Sequence, residues 1–217
     1  MGSQWWIVLG NWVLEDGNYT DFVTGERRQF ALEFWWRRGQ RLQPAPGAPS
    51  CRYTGRQAWY DVTGSMQRVP TRRQATTYVL DVGVCAYSVS PYERLDQPVD
   101  DGWVSGEIGL GIDYSAYRDE LASLPGMPPL IYTWTIDEIR LDETPQIVVE
   151  HGHPLHTKPD GRPERVRDLT RESWRTVDRT RAWEEGGGYV LRCTLLRDDP
   201  VSSMAATGPP SPFGPLT

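Results

Sequence analysis

Lysine is almost missing from this chain: Lys158 stands alone among 23 basic side chains, so arginine carries nearly all the positive charge. The skew points to a GC-rich bacterial coding sequence and says nothing of mechanism. Cysteine is sparse as well. Cys51, Cys85 and Cys193 are odd in number, far apart and without a CxxC. That excludes a disulfide framework and a thiolate zinc ribbon, and fits reduced thiols in a cytoplasm. No apolar run approaches the ~18 residues of a membrane span. The start, MGSQWWIVLGNW, shows neither a basic leader nor a cleavage site, so no signal peptide is read there and the expected localisation is cytoplasmic.

Long basic blocks are absent too. Arg27-Arg28, Arg37-Arg38 and Arg72-Arg73 are doublets and nothing exceeds two, while the net charge is −6 and the pI about 5.1. Nucleic-acid binding needs a basic stripe to displace phosphate counterions, so that class is set aside. An acidic surface fits a small-molecule enzyme or a binder of a basic protein partner. There is no Walker loop, no GxSxG elbow and no HExxH. The glycines of Gly106-Glu107-Ile108-Gly109-Leu110-Gly111 are not in dinucleotide-binding order.

Helical periodicity is scarce, and what fills the chain is strand pattern. Phe30, Leu32, Phe34 and Trp36 alternate with Ala31, Glu33, Trp35 and Arg37, the period of an extended strand. Residues 75–89 read as one long strand, with Gly83 marking a bulge or bend. Residues 102–112 read as a Gly-rich bent strand, 129–141 and 188–196 as further strands. Asp16-Gly17, Thr24-Gly25, Asp101-Gly102 and Gly186-Gly187-Gly188 supply turns at hairpin spacing. Residues 115–124 give the best helix, with Ser115 as its cap and Pro125-Gly126 as its stop. A short helical turn is expected at 163–170 and a strand from about 173 to 183. Residues 43–50 read as an exposed connection.

The expectation is a mainly β protein, a single β-barrel or β-sandwich domain over residues 1–199 with one or two short helices. The run 75–141 suits Greek-key elements of OB-like type. Residues 200–217 read as an irregular Pro-rich tail.

Three stretches could carry chemistry. All three histidines, His151, His153 and His156, fall within six residues. If the strand ending at Val149 continues, His151 and His153 share a face, and a turn at Pro154 brings His156 round as a third ligand. Three imidazoles and water would hold a divalent transition metal such as Zn, Fe, Cu or Ni. The plainer reading is solvated imidazoles on a Gly- and Pro-rich surface loop, and a pH sensor is a third.

Tryptophan numbers ten. Adjacent pairs in a strand point to opposite faces, so Trp5-Trp6 and Trp35-Trp36 cannot lie wholly inside a one-sided core. Trp35, Trp36 and Arg37 are therefore ligand-binding candidates, set against a role as core bulk. Glu33 and Glu107 are lone acids inside apolar strands. Simple alternation puts them outward, and Glu107 is retained as a fourth ligand-binding candidate. Asp100-Asp101, Glu184-Glu185 and Asp198-Asp199 read as turn acids.

Two functional classes follow. The first is a non-catalytic binding protein, accessory or immunity-like, whose acidic surface and Trp/Arg-rich strands engage a protein partner or an aromatic or small ligand. It needs no cofactor, no membrane and no nucleic acid. The second is a metal-dependent β-barrel enzyme acting on a small molecule through His151, His153 and His156.

Overall fold

The computed structural model describes residues 4–36, 40, 42–70, 76–89, 101–153, 162–184 and 187–196. The first half of the chain runs β1 (Gln4–Leu9), a helical turn α1 (Asn11–Glu15), β2 (Arg27–Phe30), β3 (Leu32–Trp35), β4 (Gln43–Pro44), β5 (Ser50–Tyr53), β6 (Trp59–Pro70), β7 (Thr76–Asp81), β8 (Cys85–Val89) and β9 (Gly102–Ile112). A π-helical turn (Tyr117–Leu121) leads to β10 (Tyr132–Asp142), β11 (Gln146–Val149) and β12 (Glu164–Arg167). A 3-10 turn (Leu169–Arg171), β13 (Trp174–Val177) and β14 (Tyr189–Leu195) complete the described chain.

Five strands close a barrel. β3 pairs antiparallel with β9, β9 with β6, β6 with β7, and β7 with β8. The ring then closes in parallel, from β8 back to β3, through Leu32–Ala86 and Glu33–Tyr87. A second layer grows from β9. β1 joins it in parallel at Val8–Gly111, β14 pairs with β1, and β10 pairs with β14. The far edge of β10 takes β13 along one half and β2 along the other. β2 and β3 are separated by Ala31 alone, so the path of pairings returns to β9. Of the two architectures the strand pattern allows, barrel or sandwich, the barrel is present. Of the run 75–141, however, β10 lies in the second layer rather than in the barrel.

The period-two pattern explains the core. Phe30, Leu32 and Phe34 are buried in one large cluster with Trp36 packed at its margin, whereas Ala31 joins a second cluster on the opposite side. Along β9, Val104, Ile108, Leu110 and Ile112 enter the main cluster. The alternate positions explain the glycines. The Trp35 indole lies across β9, and a Cβ on Gly109 would stand 2.5 Å from its Cε2, one on Gly111 2.8 Å from its Cζ3. Gly109 pairs with Trp35 on one side and with Trp59 on the other, and the two indoles meet edge-on at 6.3 Å. Two of the four glycines that sequence reasoning takes for a bend, Gly109 and Gly111, are seats for an indole.

Tyrosine hydroxyls repair the ladder where strands splay. Tyr60 Oη accepts from the Trp6 backbone N–H at 2.5 Å and donates to the Trp6 carbonyl at 3.0 Å, where β1 and β9 touch at one residue pair. Tyr132 Oη accepts from Cys85 N–H, Tyr117 Oη from Leu130 N–H, and Tyr189 Oη from Arg181 N–H. Buried backbone groups need partners, and a long rigid phenol supplies one without a strand.

Several local expectations change. Within the stretch 75–89, β7 and β8 form a hairpin rather than one strand. Gly83 sits at φ +100° between β7 and β8, and its N–H donates to Asp81 Oδ1, so the turn needs the left-handed region that glycine enters freely. The helix at 115–124 shrinks to the Tyr117–Leu121 turn. Ser115 has φ +81° and no cap bond, and Asp113 accepts the Tyr117 N–H instead. The helical turn expected at 163–170 is strand β12 followed by the 3-10 turn, because residues 164–167 pair with β11. The strand expected at 173–183 stops at Val177. Gln43–Pro44, inside the expected connection, pairs with β9. The Pro-rich stretch 200–217 lies outside the described residues.

Candidate functional site

A recess of about 250 Å³ lies between the second layer and the end of β5 with the turn that follows it. β1 positions Trp6, β5 Tyr53, β10 Arg140, β13 Trp174 and β14 Val190, with Gly55, Arg56, Gln57 and Glu172 at the rim. Trp5 and Trp6 point opposite ways, as neighbours on a strand do: Trp5 is buried and Trp6 half-buried. Tyr53 stacks on Trp6 at 6.2 Å between centroids. The Arg140 guanidinium lies 4.3 Å from the Trp6 ring centre and that of Arg192 5.8 Å. Glu138 holds both cations, at 2.7 Å from Arg140 and 3.3 Å from Arg192. Trp174 Nε1 donates to Glu172 at 3.0 Å. Burial raises the Tyr53 phenol, the nearby Arg140 lowers it and Glu172 raises it. Flat aromatic walls with a guanidinium at hand accept a planar ring bearing an acid group.

A second constellation lies where β3 meets β8. The Tyr87 hydroxyl is 3.0 Å from Glu33 Oε1 and closer still to Asp113 Oδ1. A phenol has one hydrogen to give. Holding two carboxyl oxygens at once therefore needs a second proton, on a carboxyl. Asp113 accepts backbone N–H bonds from Tyr117, Ser115 and Ala116, which favour its ionised form, though burial still raises it. Glu33 has the Tyr87 bond alone pulling it down. Burial first and the Asp113 charge second push it from 4.5 up to about 7. This balance favours the proton on Glu33 below about pH 7. Tyr19 and Tyr114 border the pair, and burial raises both phenols, with Asp113 and Glu33 adding to the effect.

The sequence-derived candidates scatter. Trp35 is half-buried on its glycine seat, and Trp36 packs against Phe34 at 5.9 Å on the other face. Glu107 faces outward beside Asp61, which Arg52 pairs. Arg37 lies outside the described residues, as does His156. β11 ends at Val149, and Gly152 at φ +93° turns the chain, so His151 and His153 sit on an exposed turn rather than on one strand face. Among the described residues no three His, Cys, Asp or Glu side chains converge on a metal position.

Sequence reasoning missed Tyr53, Arg140 and Trp174. Their strands are far apart in the chain and meet through sheet order. Trp6 had a usable signal, the opposed neighbours of β1. Glu33 had one too, a lone acid in an apolar run, but Asp113 had none.

Fold and recess together define a closed β-barrel with a second β-layer that carries an aromatic, arginine-flanked pocket. Comparison with family models, curated proteins and solved structures finds no match to this chain. No helix among the described residues is long and apolar enough to cross a membrane.

Proposed function

We propose that this chain is a ligand-binding protein whose Trp6–Tyr53–Trp174 recess takes a small planar ring bearing a carboxylate. The observation that supports this reading is the convergence of three aromatic side chains and the Arg56 and Arg140 guanidiniums around one 250 Å³ opening. Trp and Arg are the side chains that dominate binding hot spots when they cluster. Stacking supplies affinity through ring area. A guanidinium supplies orientation by gripping a carboxylate with two parallel donors.

The test is calorimetric titration of the full chain with benzoate and indole-3-carboxylate, alongside Trp174→Ala and Arg140→Gln. Saturable binding weakened about tenfold in each variant is expected. Absence of saturable heat with either probe, or equal affinity in the variants and the parent, overturns the reading.

A further inference from the structure

About 23 Å along β10 from Arg140, taking ~3.3 Å per residue over the seven residues from Thr133, a second and larger recess of about 570 Å³ opens on the same layer. It is lined by Asn18, Tyr19 and Thr20, by Arg27, Arg28 and Gln29 of β2 with Thr133 of β10, and by Arg118 of the π-helical turn. Three arginines and no carboxylate line it, in a chain with 29 acidic and 23 basic side chains. Every other lining residue carries an amide or a hydroxyl, Tyr19 through its phenol.

The three cations are differently held. Arg28 is fixed in place: Nε donates to Glu26 at 2.7 Å, Nη2 to Thr20 Oγ1 at 2.9 Å and to the Asp21 carbonyl at 2.7 Å, and its guanidinium lies 5.2 Å from the Phe22 ring centre. Glu26 offsets its charge. Arg118 reaches only the Gln29 carbonyl, at 3.4 Å. Arg27 and Arg118 form no ion pair with any described residue, and both are exposed. Two unneutralised guanidiniums brought to one concavity repel each other. Gathered at one recess, their fields add at whatever enters it. A multiply charged oxyanion removes the repulsion and accepts from forked donors on both sides.

We propose that this second recess binds a compact oxyanion carrying more than one negative charge, of the phosphate or phosphate-ester class, between Arg27 and Arg118. The site is independent of the aromatic pocket, since its ligand needs no ring.

The experiment titrates the full chain with inorganic pyrophosphate at low ionic strength by calorimetry. Arg27→Gln and Arg118→Gln are compared with Arg52→Gln, which removes the same charge from β5, the strand paired with β6 of the barrel. Saturable binding is expected. It weakens about tenfold in Arg27→Gln and in Arg118→Gln, stays at the parent value in Arg52→Gln, and falls as salt is added. Because Arg27 and Arg118 are exposed, their loss leaves the circular dichroism unchanged. No saturable heat up to roughly 10 mM pyrophosphate, or equal affinities in all three variants, overturns the proposal.

Discussion

Replacing Glu33 by Gln tests the proton assigned to the Tyr87 bridge. The folded chain holds the Glu33 carboxyl up from 4.5 to about 7, chiefly by burial. Below pH 4.5 folded and unfolded chains are both protonated there, and the shift has no effect on stability. Between 4.5 and about 7 the unfolded chain releases the proton and the folded chain keeps it. The native state binds more protons, so stability falls as pH rises through this window and is level above it. At 1.36 kcal/mol per pH unit the full loss is about 3 kcal/mol, less what solvent screens at a half-buried group. Glutamine keeps the shape and cannot ionise. Urea unfolding of parent and Glu33→Gln at pH 4.5, 6, 7 and 8.5 reads the difference directly. The variant should gain about 2–3 kcal/mol on the parent between pH 4.5 and 8.5, with most of the gain complete by pH 7. A gap between the two proteins that stays constant across this range refutes the assignment of the proton to Glu33.

Two further outcomes follow from packing. Gly109→Ala places a methyl group against the Trp35 indole and should cost about 1–3 kcal/mol in urea unfolding. The cost shrinks in a Trp35→Ala background, and a cycle without such coupling removes the seat interpretation. Burial pushes the Cys51 thiol up to about 12 and raises Cys85 and Cys193. Ellman's reagent at pH 8 should therefore find no fast thiol in the native chain and three in guanidinium; one fast native thiol contradicts the packing around it.

The β character of the fold and its buried faces were legible because alternation is local. Phe30, Leu32 and Phe34 announce an inward face wherever the strand ends up. Turns were half legible. Gly83 was seen, but a bulge and a two-strand hairpin share the same glycine, and only pairing with β6 and β3 separates them. The bounds of the helix at 115–124 were less legible for a related reason. Asp113, two positions before Ser115, caps the Tyr117 turn from a strand end, so the usual cap position carries no signal. The recesses were least legible. Trp6 and Trp174 lie 168 positions apart by sequence number and meet because β1, β14, β10 and β13 lie side by side. Sequence order does not reveal that adjacency.

The Leu32–Ala86 and Glu33–Tyr87 pairs are the whole of the parallel closure between β3 and β8. A staved vessel leaks first at its shortest joint, and here one of the two rivets is the carboxyl that surrenders its proton near neutrality. Alkaline conditions thus load negative charge onto the hoop's thinnest point. Opening of the shell at this joint is expected to increase as pH rises through neutrality, without any histidine taking part.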